Sequence, residues 1–533
     1  MYNNYTPLQQ RQLALQEYSN TQSTYLLVCA PARSTALKAT LTDQLHRKFR
    51  LVDRLDGELT ASVDGVLLAA EDVELMSTAL MFFAKALQDG ADYAVCNAVF
   101  GFGGATALYQ SQPLQAQNRC AVVSRALLER CRAAAHDPEN VPELLALAAQ
   151  LCTRPTLVPQ ALLHYERGIC AEDAFSAHGK RAFIMSHVLD MTGAPIVLVS
   201  AVPVLRSMGY EVLVLGPSDG GSLHLFLDAG ASVITRSSCR NVSDDWGMAL
   251  CADFVIVNTV VMARAVRALS GTAVPVLWWL HDAFAGYPHI AHQIPTQLGE
   301  NVRVYSVGSH AANAMRAVRP EFEIRPLIYG LPDYAAENFV RTDLGYNRGR
   351  PLFATVGSFE RRKGHDIFCK AIRLLPPEVR EKASFLFVGQ AADKEMMDSV
   401  RTLTADYPEN VYYCKRLTRD EIKSLMEQCT GLVCASRDDP MPTFVTEGLI
   451  FGKPSIVSEH TGTAGLISEG RNGFVYHNDD PQQLAVLLEH AIEHPEELAS
   501  MRTECRKMYE QYYSKEAFEQ TLRAAVEDLT AKK

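Results

Sequence analysis

The chain has 533 residues, 48% hydrophobic and 21% charged, which is the composition of an ordinary soluble globular protein too long for one core, so two or three domains are expected. A net charge of −10 is modest for this size and excludes nucleic acid as the main partner. The first ten residues lack the basic and apolar regions of a secretory signal, and no apolar run approaches the roughly 20 residues that span a bilayer. Thirteen cysteines without C-x-x-C spacing read as reduced, mostly buried thiols of a cytoplasmic protein, with no zinc pattern.

In residues 1–175 strands and helices alternate loosely. Residues 25–29 and 65–69 are short apolar runs of strand type. Residues 73–87 have helical spacing, with Leu75, Ala79, Phe82, Phe83 and Leu87 on one broad face. Residues 92–96 predict another strand, followed by the Gly-rich turn Gly101-Phe-Gly-Gly104. Helices are expected over 125–135 and 142–151, then the run Thr156-Leu-Val-Pro.

The signals sharpen near residue 180. Arg181-Ala-Phe-Ile-Met-Ser-His-Val-Leu-Asp-Met-Thr-Gly-Ala-Pro-Ile-Val197 reads as strand, loop and helix start. Pro195 suits a first helical turn, and Gly193 and Ala194 let a ligand approach the backbone closely. The helix ends at Gly209 and carries Pro203, which implies a kink. Strand-like runs recur at 211–215, 253–257, 274–280 and 303–307, the alternation of a Rossmann-like open sheet. His281 ends the run Trp278-Trp-Leu-His-Asp282. It stands beyond a strand's carboxyl end, where ligands of such sheets bind; the alternative is a structural histidine bonded within its loop. For His187 the two readings are equal.

A second Rossmann-like lobe begins near residue 350. Strand 352–356 leads into Gly357-Ser-Phe-Glu-Arg-Arg-Lys-Gly364 and a helix from Asp366. Further strands are expected at 384–388, 411–414 and 431–435, with Lys415-Arg-Leu417 lining a base pocket. The last of them feeds Ser436-Arg-Asp-Asp-Pro-Met-Pro-Thr-Phe-Val-Thr-Glu-Gly-Leu-Ile-Phe-Gly-Lys-Pro454, and strand 455–458 leaves it. A helix over 443–451 follows from Thr443 as its cap, Gly452 as its stop and Pro454 as a barrier. Its N-terminal N–H groups and dipole suit a phosphate. Asp439 in the loop and Glu447 one turn into the helix can face the same cavity, which suits a nucleotide-sugar.

The spacing Asp439-x7-Glu447 resembles the E-x7-E motif of retaining glycosyltransferases of family 4, which have the GT-B fold; Asp replaces the first Glu. Residues 186–195 are similar to the Gly-rich loop of that family's N-lobe, and residues 278–282 to its Trp-Trp-x-His-Glu segment. Residues 357–364 resemble its Gly-Arg-(x)4-Lys-Gly phosphate clamp. Ser358 takes the usual Arg position, so Arg361 or Arg362 must supply the second cation. Residues 1–175 resemble a shortened GT-A domain of the family 2 type. Leu68-Ala-Ala-Glu-Asp72 lies where that family has its Asp-x-Asp metal site, but Ala69 replaces the first Asp.

The resemblance covers roughly residues 180–530. It implies an α/β chain with the GT-B fold, two Rossmann-like lobes around an active-site cleft, plus an N-terminal α/β domain. The boundaries are 1–175 for the degenerate, non-catalytic domain, 176–340 for the acceptor-side N-lobe and 341–533 for the donor-side C-lobe, whose last helix crosses back to the N-lobe. The implied enzyme is retaining and metal-independent, needs no cofactor, and moves a sugar from a nucleoside-diphosphate donor to a saccharide, lipid-linked or protein acceptor. Arg362, Lys363, Met441, Pro442 and Thr443 would hold the donor with Gly193. Asp439 would meet the sugar hydroxyls, Glu447 the ribose, and His281 the sugar and acceptor. It would work in the cytoplasm, free or peripheral to a membrane, with residues 1–175 open to a protein partner or a second copy. The rival readings are an inactive scaffold subunit of a glycosylation complex and a GT-B nucleotide-sugar epimerase.

Overall fold

The structure, a computed structural model, describes residues 23–29, 34–42, 44, 46–55, 62–70, 73–102, 106–110, 119–165, 179–218, 220–236, 239–240 and 248–531. Glu71 and Asp72 of the supposed metal segment, Gly103 and Gly104 of the Gly-rich turn, and the first ten residues lie outside this set. The chain forms two compact units, Met1–Ile256 and Val257–Lys533.

The first unit opens with strands β1 (Leu26–Cys29), β2 (Phe49–Val52), β3 (Gly65–Ala69) and β4 (Glu74–Leu75). It continues with β5 (Tyr93–Phe102), β6 (Thr106–Gln110), β7 (Cys120–Ser124) and β8 (Pro155–Tyr165). β1 lies between parallel β2 and β3, β7 runs antiparallel to β3 and β5, and β5 carries antiparallel β6 and parallel β8. Both faces of β1 are buried, as its unbroken apolar run requires. Leu26 and Val28 face a core with Phe83 of helix Ala79–Gln88. Leu27 and Cys29 face another with Leu127 and Leu144, from helices Arg125–Ala134 and Val141–Leu151.

The helix expected from residue 73 starts only at Ala79. Glu74 and Leu75 pair instead with His164 and Leu163 of β8, and Met76 N donates to Leu162 O at 2.8 Å. This long-range pairing overrides the helical periodicity of the segment's first residues.

Strands β9 (Lys180–Met185), β10 (Tyr210–Gly216) and β11 (Ser232–Arg236) follow in parallel. β12 (Phe254–Asn258) joins β9 through Asp253 N, which donates to Arg181 O at 2.8 Å. Helix Gly193–Ser207 connects β9 to β10 and contains Pro203. Because β6 pairs antiparallel with β11, from Tyr109 opposite Val233 to Thr106 opposite Arg236, residues 23–165 and 179–236 build one continuous sheet.

The second unit holds parallel strands β13 (Val276–Leu280), β14 (Val302–Ser306) and β15 (Ile324–Pro326). Trp278 and Trp279 are fully buried on β13. Each indole N–H is satisfied, Trp278 Nε1 donating to Thr259 O and Trp279 Nε1 to Leu327 O, both at 2.9 Å. Six further strands form an all-parallel sheet: β16 (Leu352–Val356), β17 (Ser384–Val388), β18 (Val411–Cys414), β19 (Gly431–Cys434), β20 (Ser455–Ser458) and β21 (Gly473–Tyr476). Their order is β18-β17-β16-β19-β20-β21. Chain direction across the sheet therefore reverses between β16 and β19, the switch point where doubly wound sheets open a crevice for ligands. The final helix, Lys515–Thr530, lies on β13, with Phe518 stacked on Trp279 at 5.8 Å. Arg325 Nη1 of β15 donates to Asp528 Oδ2 at 2.8 Å.

Among the described residues no helix is long and apolar enough to cross a membrane. The described cysteines are unbridged, and all but Cys152, Cys251 and Cys414 are buried.

Candidate active site

Two loops leave the six-stranded sheet at its switch point. After β16, Arg361–Lys363 make a single tight turn and Gly364 adopts φ +65. A Cβ there would stand 1.8 Å from the carbonyl oxygen of Ala435, just after β19. Glycine alone allows the left-handed turn and the close approach together. Lys363 Nζ thereby reaches Asp439 Oδ2, to which it donates at 2.6 Å. Asp439 is 3% exposed, and its second oxygen accepts from Met441 N at 3.2 Å. Its backbone is pinned as well: Asp439 N donates to His460 O at 3.1 Å, and Gly462 N donates to Asp439 O at 3.0 Å.

Helix Thr443–Ile450 starts immediately beyond. The expectation that Thr443 caps it is corrected. Pro442 holds the cap position in an extended conformation, with no side-chain cap bond, and Thr443 becomes the first helical residue. Thr443 Oγ1 lies 3.4 Å from Tyr329 OH instead. Val445 N and Thr446 N donate to Pro442 O at 3.1 and 3.4 Å, so the helix N-terminus, without a side-chain acceptor, keeps the Thr443 and Phe444 N–H groups and its positive dipole end available to an anion. Glu447, one turn on and 8% exposed, accepts from Arg419 Nη1 at 2.6 Å. The Arg419 guanidinium rests on the Tyr334 ring, 4.1 Å from its centre. Each acid of the Asp439-x7-Glu447 pair thus has its own cation.

Arg362 Nη2 donates to Glu360 Oε1 at 3.0 Å, and Ser358 Oγ donates to the same oxygen at 2.7 Å. Ser358, standing in the usual Arg position, thus shares a carboxylate with the neighbouring arginine. His281 leaves β13 with its ring 4.8 Å from that of Trp279. Beside it Asp282 accepts from Val260 N at 2.6 Å. Burial pushes the Asp282 carboxyl up to about 6, against the pull of that bond. Two residues later, Phe284 N and Ala285 N donate to Asp438 at 3.1 and 2.8 Å.

Lys363, Asp439, Met441, Pro442, Thr443 and Glu447 therefore gather on adjoining loop and helix turns, with Arg362 beside them through Nη1, which reaches Asp438 O at 3.5 Å. Gly193 lies in the first unit as the first residue of its helix, and a Cβ there would meet nothing within 4 Å. Burial lowers His187, in the same unit, to about 4 and so keeps its ring neutral. Arg419 and Asp438 are two residues that motif reading passes over. The only sequence signals for them are position: Arg419 follows the Lys415–Leu417 segment, and Asp438 precedes Asp439.

Two family descriptions match the chain in order: "Glycosyl-transferase family 4" over residues 178–318 and "Glycosyl transferases group 1" over residues 337–508. An uncharacterized glycosyltransferase of Methanocaldococcus jannaschii is 26% identical over 197 residues, covering 36% of this chain and 53% of that protein. Spore coat protein SA of Bacillus subtilis is 27% identical over 160 residues, covering 28% of this chain and 41% of that protein. The chain thus spans about half the length of these curated relatives. Among solved structures, Anabaena HepE in complex with UDP superposes with a TM-score of 0.54 at 17% identity, over 66% of this chain and all of that one. Sucrose-phosphate synthase of Thermosynechococcus elongatus does so at 0.53 and 14%, with the same coverage. The chain thus carries two matched glycosyltransferase segments in order, and its fold is the GT-B fold.

Proposed function

We propose that the chain is a retaining, metal-independent glycosyltransferase that moves a sugar from a nucleoside-diphosphate donor to a saccharide, lipid-linked or protein acceptor. One observation carries the reading: the Lys363–Asp439 contact of 2.6 Å at the open start of helix Thr443–Ile450. A diphosphate set there meets an ammonium, a helix N-terminus and the Arg362 guanidinium. These stabilise the charge that builds on the leaving phosphate, the electrostatic task otherwise given to a metal. Asp439 then takes sugar hydroxyls and Glu447 the ribose, each released in part from its cation as the donor arrives. His281 stands toward sugar and acceptor. The leaving phosphate itself accepts the acceptor's proton, so attack and departure share one face and the anomeric configuration is kept. HepE is known in complex with UDP and with UDP-glucose, which makes UDP the first nucleotide to test.

We read residues 1–175 as a degenerate GT-A-like domain serving acceptor docking, a protein partner or a second copy. Parallel β2-β1-β3 followed by antiparallel β7 supports it, as does Ala69 in place of a metal-binding acid.

The test is calorimetric titration of UDP, GDP and ADP into the wild type and Lys363→Ala. One nucleotide is expected to bind at micromolar level and to lose about 1.5–3 kcal/mol in the variant, the scale of a charge-assisted hydrogen bond. Transfer from the matching nucleotide-sugar should then persist in EDTA and give, by NMR, a product with the donor's anomeric configuration. Absence of binding by all three nucleotides would sink the transferase reading in favour of a scaffold.

A further inference from the structure

We propose that Asp438 is a positioning residue, docking the loop that follows His281 onto the loop that carries Asp439 so that both residues address one sugar. The inference rests on the transferase reading. Asp438 Oδ1 accepts from His310 Nε2 at 2.7 Å and from Phe284 N at 3.1 Å, and Oδ2 accepts from Ala285 N at 2.8 Å. Its side chain is 14% exposed. All three donors come from the part of the second unit built on β13 and β14, while Asp438 lies in the loop after β19. Burial alone would push the carboxyl up. The His310 bond and the two amides outweigh it and hold Asp438 below the usual carboxylate range, so the docked group is an anion at neutral pH.

Both ends of the contact are rigid. On one side Arg437 forks onto Asp366 at 2.8 and 2.9 Å and reaches Asp479 Oδ1 at 2.9 Å. Arg437 N donates to Arg362 O at 2.7 Å. Asp439 is pinned by the His460 and Gly462 backbones, so the backbone of Asp438 cannot shift without carrying Asp439. On the other side the Phe284 and Ala285 amides stand three and four positions beyond His281. The surrounding contact is tight: a Cβ on Gly308 would sit 2.8 Å from Met441 Cε and 3.2 Å from Gly462 Cα. The ring of His310 packs between Phe284 and His460, with centres 5.1 and 5.5 Å away.

An amide at position 438 keeps the shape but offers one acceptor oxygen where three donors converge. Asp438→Asn is therefore expected to lower kcat about 10- to 100-fold, the scale set by an ångström of misplacement, while the nucleotide Kd stays within about twofold because Lys363 and the helix start are untouched. His310→Ala should act in the same direction, His310→Gln should recover much of the loss, and the double variant Asp438→Asn/His310→Ala should be no worse than Asp438→Asn. Hydrogen exchange supplies a readout that needs no activity: the Phe284 and Ala285 amides should lose protection in Asp438→Asn and keep it in Lys363→Ala. Unchanged kcat in Asp438→Asn, or a nucleotide Kd that weakens in step with kcat, overturns the inference. So does unchanged exchange at those two amides. If the wild type binds no nucleotide, the transferase reading fails on its own, and the docking role is then decided by exchange alone.

Discussion

His365 follows directly on the Lys363-Gly364 turn, is 2% exposed, and meets the Phe359 ring edge-on at 4.4 Å. Burial first, and the Lys363 charge second, hold its imidazole down to about 3. Unfolded, it would titrate near 6.5. Below that pH the unfolded chain binds a proton that the folded one refuses, so stability falls as pH drops from 6.5 toward 3. Asp282, raised to about 6, works the other way: its folded form holds a proton between about 3.8 and 6, so it loses stability as pH rises through that window. At pH 4.5, His365→Gln should therefore recover about 3 kcal/mol of acid-lost stability relative to its own value at pH 7.5, read from urea unfolding at both pH values. An acid-induced loss equal to that of the wild type would show that His365 is not responsible. At this scale the readable residues were those joined by short spacing. Asp439 and Glu447 share one loop and one helical turn, so eight positions of sequence place them together. Asp438 and His310 are 128 positions apart, and no local pattern encodes a partner that only the folded chain brings near.

Helix Thr443–Ile450 is buried along almost its whole length, so its sequence has no polar face to report its orientation. Its ends were legible to within a residue, from Thr443, which proves to be the first helical position rather than the cap, and from Gly452, at φ +71. What the ends do chemically is tested by Thr443→Pro. The first helical position accepts proline without breaking the helix, but the substitution deletes one N–H at the proposed phosphate site. Nucleotide affinity should fall about tenfold or more, the low end of the roughly 1.5–3 kcal/mol of one hydrogen bond to a charged group, with the melting temperature shifted by only a few degrees. A large loss of melting temperature with affinity preserved would assign Thr443 a packing role through Tyr329. Five strands of the six-stranded sheet were readable as short runs rich in apolar residues, as parallel strands covered on both faces must be; β21 at its edge was not read. β4 escaped because two residues paired with a distant strand carry too little pattern to displace a helical reading.

At the scale of the molecule, the boundary expected at residue 175 divides a chain whose sheet does not divide there. β6 and β11 pair through four registered residues, and a chain lacking residues 1–175 would leave Ser232–Arg236 as an open edge. Such edges invite association. The shortened chain should run as aggregates in light scattering where the full chain does not, and an equally monodisperse shortened chain would show that β6 is dispensable. Neither the strand run at 232–236 nor the pairing was visible in the sequence. The run is brief, and antiparallel partners this far apart share no turn that would announce them.

That same pairing sets a schedule for synthesis. β11 leaves the ribosome on the order of a hundred residues after β6, a delay on the order of ten seconds at about 5–20 residues per second. During that interval the nascent N-terminal sheet has one ladder of hydrogen bonds still unmade, and it is finished by the polypeptide that follows it. The stretch expected to be a separate domain, residues 1–175, therefore cannot complete its own sheet, and codon-level slowing between these strands would lengthen its exposure to chaperones and to neighbouring nascent chains.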